Sequence, residues 1–472
     1  MNRIIRYLFL PLCFSSLQAW AQAPLEDTLQ TEEECKVVIR KIDLAGNRKT
    51  RPGILFREIP LSAGAGYTMP QILQAIDQAK VNLMNTALFV EVKVDFRNWF
   101  RDSLDLVVAV SERWYIFPLP VIEPIDRNWN VWITQHKISL DRINYGVRFR
   151  GQNITGNNDR LSLFVISGYT RQYALRYENP FISRNLRHGA TFEFSYSRNR
   201  EINYTTRSNQ QVFFRDETQF ARTRWQAGLG YSYRRGSIER HNVKLFYSRE
   251  EIADTIASLN PKFFGGGRTV TGFPELQYRY QYLGVDYIPY PLKGFRTEVN
   301  FLKRGWGGRN GLDLWMLNVA AGKFWPLSET MFVSLQAEAT LKLPFRQPFF
   351  NQRMMGYAGN YLRGLEYYVI DGVAGGMTQL TFRKKILDKK VNTGLASKTY
   401  GSIPVRIYLK AYSDVGYAYN KENTTGNRLT NKWLYTGGIG VDVVTIYDMV
   451  LRLEYSFNQL RERALFIHMN DF

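Results

Sequence analysis

The stretch Val333-Ser334-Leu335-Gln336-Ala337-Glu338-Ala339-Thr340-Leu341-Lys342-Leu343 decides the fold of this 472-residue chain. Every odd position is apolar and every even one polar or charged, the period of two that sends successive side chains to opposite faces of a β-strand. Trp225, Ala227, Leu229, Tyr231 and Tyr233 alternate in the same way with Gln226, Gly228, Gly230, Ser232 and Arg234. So do Met449, Leu451, Leu453, Tyr455 and Phe457 with Val450, Arg452, Glu454 and Ser456. A soluble sandwich shows such alternation as well, so length and the polar face decide. These runs reach about 9–11 residues or more, the span of a tilted membrane strand, and have aromatics near their ends. Their polar faces carry Arg and Glu together, as a wet lumen permits. Hydrocarbon tolerates no open sheet edge, so the segments are expected to close into a transmembrane antiparallel β-barrel. From Trp114 onward 359 residues remain. Sixteen strands would use about 22 each with their connections, although fourteen or eighteen also fit.

Composition agrees with that reading. The chain is 45% hydrophobic and 22% charged with a formal net charge of +20, which excludes a disordered or collagen-like protein. No apolar run of about 20 residues follows the N-terminus, which argues against a polytopic helical membrane protein. Aromatics make up 15%, beside 36 Gly and only 17 Pro, as many short strands with aromatic ends would require. The basic residues are spread along an exported chain, so lumen lining or contact with anionic headgroups explains the charge better than nucleic acid does.

Residues 1–23 read as a signal peptide. Arg3 and Arg6 form a basic region, Tyr7 to Phe14 an apolar one interrupted by Pro11, and Ala19-Trp20-Ala21 or Ala21-Gln22-Ala23 a cleavage site. Leu12 before Cys13 does not suit lipid attachment. Cys13 leaves with the signal, and Cys35 alone supports neither a disulfide framework nor a cysteine-rich metal site. His136, His188, His241 and His468 lie far apart, and no HExxH, Gly-x-Ser-x-Gly or GxxxxGK[ST] string occurs. Nothing gathers a nucleophile, a base and an oxyanion site, so no enzyme and no cofactor is expected.

After a short extension, 24–34, the segment 35–113 reads as a small α+β domain. Val37, Ile39 and Ile42 to Leu44 form a strand that ends at Ala45-Gly46-Asn47, where Gly and Asn tolerate a turn. Thr50 to Glu58 suits a short helix. Met69 to Leu88 places Ile72, Ile76, Ala79, Leu83 and Ala87 at helical steps, with Gln74, Gln78 and Asn82 on the polar face. Val90 to Phe96 and Leu104 to Val110 then alternate as paired strands. The order strand, helix, helix, strand, strand, with the turn at Gly46 and Asn47, the Ala-Leu-Phe-Val-Glu-Val junction and the closing Val-Ser-Glu-Arg, resembles a POTRA domain. The resemblance implies binding of extended polypeptide along a sheet edge. The eleven positions 24–34 leave no room for a second copy before it.

Three motifs in the segment 114–472 sharpen the resemblance. Leu362-Arg363-Gly364-Leu365, in a long non-alternating stretch near 344–376, is similar to the loop motif of the BamA/TamA-type outer-membrane assembly superfamily, with Leu365 in place of the usual aromatic. Asp414 and Gly416 resemble that superfamily's Asp-x-Gly strand, whose acid receives the loop arginine. Val405, Ile407, Leu409 and Ala411 take the lipid face, which turns Arg406, Lys410, Asp414 and Gly416 inward, so Arg363 is expected to reach Asp414. Thr381 stands where many relatives carry a lumen-facing Glu, with Glu366 or Glu338 as substitute partners. Asp286, Pro291 and Gly294 resemble the strand-turn signature. Leu451 to Phe457 and Ala464 to Phe472 resemble the last two strands, with Phe466 and the terminal Phe472 as the assembly signal.

What the resemblance implies is an outer-membrane protein of a Gram-negative bacterium that assists insertion of β-barrel proteins or translocation of polypeptide, without ATP. Its partners would be unfolded or partly folded clients and outer-membrane lipids, with periplasmic chaperones or lipoproteins as further candidates and no nucleic acid. A seam between the strand near Asn144 to Gly151 and Ala464 to Phe472 would open and template the client. Two rivals stand beside this. One is a passive or plugged channel that prefers anions. The other is a two-partner secretion translocator, whose paired POTRA domains and plug helix find no room here.

Overall fold

The computed structural model describes residues 36–124, 132–133, 137, 143–168, 170–183, 185–216, 218–307, 311–357, 360–392, 402–422, 426–445 and 448–469. Residues 1–23, where a signal peptide is expected, the extension 24–34, Cys35, His136 and Phe472 lie outside them.

The chain begins with a small α+β domain: β1 (Val37–Ala45), α1 (Pro52–Glu58), β2 (Gly66–Tyr67), α2 (Met69–Asn85), β3 (Phe89–Phe100) and β4 (Ser103–Glu112). The sheet order is β2-β1-β4-β3, with β1 and β4 parallel. A capping box starts α2, where Thr68 and Gln71 exchange side-chain and backbone bonds. Ile72, Ile76, Ala79 and Leu83 then pack on Ile39, Leu104 and Leu106. Three details depart from the sequence reading. Helix α2 ends at Asn85, so Ala87, at φ +59°, lies beyond it instead of on its apolar stripe. The two-residue β2 is too short to carry a period, and Asn82 is buried rather than on the polar face, donating from Nδ2 to the Glu58 carbonyl at 3.0 Å.

The strands that follow are β5 (Ile116–Pro124), β6 (Ile143–Gln152), β7 (Arg160–Gly168), β8 (Thr170–Asn179), β9 (His188–Asn199), β10 (Glu201–Arg207), β11 (Gln210–Arg215), β12 (Arg222–Arg235), β13 (Glu239–Ile252), β14 (Val270–Val285), β15 (Gly294–Arg304), β16 (Leu314–Pro326) and β17 (Met331–Leu343). After them come β18 (Arg353–Met355), β19 (Ile370–Asp371), β20 (Ala374–Asn392), β21 (Ser402–Tyr419), β22 (Trp433–Val444), β23 (Val450–Asn458) and β24 (Arg463–Met469). Short helices α3 (Asp254–Leu259) and α4 (Phe349–Gln352) sit in connections. Leaving out the ribbon pairs β10–β11 and β18–β19, the strands form one antiparallel sixteen-stranded sheet, a β-barrel. Leu229, Leu245, Leu335, Leu341 and Ile439 stand exposed on its outside, while Ser334, Lys342, Lys410 and Asp414 are buried on the inside. Gly228 and Gly230 leave inner space that Phe246 and Lys244 fill.

The sheet begins at β5 and ends at β24, and among the described residues no ladder pairs these two. The seam therefore falls one strand earlier than expected, because Asn144 to Gly151 belongs to β6. The Gln152 N–H donates to the Tyr115 carbonyl, and the register opposes Ile116 to Gly151. Alternation of hydrogen-bonded pairs then turns the odd positions of β5 towards β6 and the even ones away. Of the outward positions 116, 118, 120, 122 and 124, three are proline, so only Ile116 and Ile122 keep an N–H there. The Ile116 carbonyl already accepts the Trp114 indole N–H.

The small domain is fixed to one end of the barrel. Buried Glu58 on α1 takes Arg57 at 3.2 Å and Arg234 of β12 at 2.9 Å. Arg113 pairs with Asp448 at 2.9 Å, and Asn153 donates to the Thr50 hydroxyl at 2.9 Å. At the opposite end the ribbon β10–β11 folds over the barrel. Its tip residue Asn209 is buried and bonds the Val369 backbone, the Asn427 side chain and the Leu429 N–H.

Candidate functional site

The segment between β17 and β20 enters the lumen and touches several inner walls. Leu365 N–H donates back to the Leu362 carbonyl at 3.0 Å, a tight turn with Arg363 and Gly364 at its centre. Gly364 has φ +94°, and a Cβ there would lie 3.0 Å from that of Ser456 on β23. Asn458 Nδ2 donates to the Gly364 carbonyl at 2.8 Å. Leu362 and Leu365 are buried with Met354, Ile370, Ala418 and Leu434. Leu365 thus serves where an aromatic was the expected residue.

The turn aims Arg363 at β21 and β20. Its Nε donates to Asp414 Oδ2 at 2.9 Å, a second guanidinium nitrogen reaches Asp414 Oδ1, and the Arg363 backbone N–H adds 3.1 Å to Oδ2. Nη1 donates to the Thr381 hydroxyl at 3.0 Å. The guanidinium also lies 4.1 Å from the Tyr412 ring centre. Asp414 is fully buried, so fork-to-fork pairing is what makes a carboxylate there tolerable. Gly416, two residues on, leaves room for Leu362, whose Cδ1 would stand 2.8 Å from a Cβ there. Neither Glu366 nor Glu338 takes the arginine. Glu366 Oε2 accepts the Gly364 N–H at 2.7 Å, and Glu338 Oε1 accepts Asn318 and Asn360 at 2.7 and 3.0 Å.

The other sequence motifs fall at the domain end and the last strand. Asp286 Oδ1 accepts the N–H groups of Leu292 and Lys293 at 3.0 and 3.1 Å, closing a turn that contains Pro291. Gly294, at φ +112°, ends it where a Cβ would meet the Gly284 carbonyl at 2.1 Å. Tyr290 on that turn is buried beneath the barrel and donates to Asp442 at 2.8 Å. Lys410 Nζ joins Asp442 to Glu454, the latter at 2.6 Å. This inner-wall network was not foreseen, since it needs the register of β21, β22 and β23; the inward parity of Lys410 was the available signal. Phe466 faces inward as well, 5.3 Å from the Tyr367 ring on the loop. In the small domain Gly46 is required at φ +87°, where a Cβ would meet the Val110 carbonyl at 1.9 Å. Asn47 Nδ2 closes the same turn on the Thr50 carbonyl at 3.2 Å.

No family model matches this sequence, and no curated protein matches it. Solved structures share the fold. BamA from Haemophilus ducreyi lacking POTRA domains 1–3 is 13% identical with a TM-score of 0.52, over 92% of this chain and 85% of that one. CdiB from Escherichia coli is 11% identical with a TM-score of 0.52, over 92% and 76%. CdiB from Acinetobacter baumannii is 14% identical with a TM-score of 0.50, over 92% and 73%.

Proposed function

We propose that this chain is an outer-membrane protein that assists insertion of β-barrel proteins or translocation of polypeptide, with the small domain acting as a single POTRA domain in the periplasm. The observation that carries this is the donor-poor outer edge of β5. A seam whose first strand offers only two outward N–H groups cannot close with a full ladder, and a weak seam is where an extended client segment can enter a sheet. The likeness of the barrel to BamA and CdiB supports the reading at the level of fold. The small domain adds a second open edge, β3, whose far end exposes Phe96, Trp99 and Phe100. An apolar client segment would be held there by strand addition before it reached the barrel. Arg363 would clamp the loop so that its position in the lumen stays fixed while the seam moves.

A second reading is favoured by one feature. The inward faces of β6–β8, β12 and β13 carry Arg148, Arg150, Arg160, Arg176, Arg224 and Arg240; Glu178, Glu193 and Glu250 pair with Arg176 and Arg224, and the surplus of arginine makes a wall suited to anionic solutes. Depletion of the protein, followed by quantitative outer-membrane proteomics and heat-modifiability of folded barrels, separates the two. Loss of many or a defined few barrels supports the assembly role. Unchanged barrels together with an anion-selective conductance of the purified protein support the channel.

A further inference from the structure

Glu366, Glu454 and His468 arrive from the loop, β23 and β24 and point one ligand atom each at a common centre. His468 Nε2 lies 3.4 Å from Glu366 Oε1 and 3.4 Å from Glu454 Oε2, and all three atoms fall within 4.8 Å of one another. Both carboxylates are buried. Glu366 Oε1 and His468 Nε2 have no hydrogen-bond partner although both atoms are shielded from solvent. Orphaned buried atoms of this kind cost free energy unless something satisfies them.

The remaining atoms of the same groups are all engaged. Glu366 Oε2 holds the Gly364 N–H at 2.7 Å, Glu454 Oε1 holds Lys410 Nζ at 2.6 Å, and His468 Nδ1 meets the Tyr361 hydroxyl at 2.9 Å. Each ligand is thereby oriented by an outer partner that leaves one atom directed inward, which is how metal-binding side chains are ordinarily supported. The spacing agrees. Zinc bonds of about 2.0–2.2 Å in tetrahedral geometry put neighbouring ligand atoms about 3.3–3.5 Å apart, too far for a good hydrogen bond and the distance seen from His468 to each carboxylate.

We propose that Glu366, Glu454 and His468 form a binding site for a divalent transition-metal ion of the zinc type, with one further position open to water. Neutral His468 would bind through Nε2 and donate its Nδ1 proton to Tyr361. The ion would tie the lumen loop to the last strand of the barrel, next to the seam. The site does not depend on the assembly reading and is tested separately from it.

The full-length protein, folded in detergent and stripped with a chelator, would be titrated with Co²⁺ as the probe. One saturable equivalent with the strong visible bands of a four-coordinate ion, displaced by Zn²⁺, is expected. His468→Gln and Glu366→Gln should each weaken it at least about tenfold, and Tyr361→Phe less than either. Heat-modifiability checks that each variant is folded. Should a variant not fold, X-ray absorption of the wild-type Co²⁺ complex decides, one imidazole with oxygen donors supporting the site. Absence of saturable binding, six-coordinate spectra alone, or equal affinity in folded variants would overturn it.

Discussion

Arg363 is sandwiched between a carboxylate and a ring: Asp414 takes its guanidinium edge while Tyr412, two residues earlier on β21, lies 4.1 Å from the guanidinium carbon. A planar guanidinium makes the two-pronged pairing and the stacked contact at once, which lysine's point charge does not reproduce. Removing the arginine leaves Asp414 as an uncompensated buried charge, a loss of about 3–5 kcal/mol. Arg363→Ala, and Arg363→Lys nearly as much, should therefore lower the urea midpoint and the heat-resistant fraction of the barrel. Arg406→Ala, whose guanidinium sits 5.5 Å from the Tyr287 ring, should do far less. Adding Asp414→Asn to Arg363→Ala should recover part of the loss, and equal effects of the two arginine variants would remove the clamp.

Gly364→Ala tests the turn itself. A Cβ at φ +94° and 3.0 Å from Ser456 costs about 1–2 kcal/mol for the backbone alone, so the loop should lift from β23. New protease cleavage within 344–373 of the folded protein is the expected result. An unchanged digestion pattern would show that the turn can relax without leaving its wall.

Domain docking rests on Glu58, which takes Arg57 and Arg234 together. In Glu58→Gln two arginines face each other without their shared acid. Hydrogen exchange of α1 and of the β12 end should rise together while the barrel's heat-modifiability is kept. Protection that stays the same in both places would assign the docking to the Arg113–Asp448 pair instead.

The small domain should also report on acid. Hydrogen bonding from Arg40, then from Asn98, lowers the Asp105 carboxyl to about 2. A carboxyl depressed in the folded state stabilises fully above its ordinary value near 4 and loses that contribution as pH falls through about 2. Pepsin cleavage of the domain in the intact protein should therefore rise between pH 4 and 2. In Asp105→Asn it should already be high at pH 4 and change little below it; superimposable profiles would exclude Asp105 as the cause.

Locking the seam addresses the proposed mechanism. In a Cys35→Ser background, a cysteine pair bridging β5 and β24 should leave the barrel folded and abolish client insertion, with reductant restoring it. Normal insertion by the oxidised protein would rule out entry through this seam.

Much of the barrel was legible because its strands obey a period of two, and the parity of β21 alone turned Asp414 towards the lumen. The identity of its first strand was not. Ile116 to Pro124 carries Pro118 and Pro120, which disqualify it as a central strand, and only the bond from Gln152 to Tyr115 reveals that the prolines lie on the unpaired side. The Glu366, Glu454 and His468 cluster was equally hidden. Its members are separated by up to 102 positions of sequence and meet only through the 454–466 register and the fold of the loop. Thr381 was visible as a departure, yet its use as an acceptor for Arg363 depended on where the turn at Gly364 placed the guanidinium.

The prolines of β5 also bear on how these molecules treat one another. Two barrels drifting edge to edge, each presenting β5, would set carbonyl against carbonyl with hardly a hydrogen between them, and natural sheets use proline on exposed edges to discourage such contacts. A border that accepts but scarcely donates is a poor template for a second copy of itself.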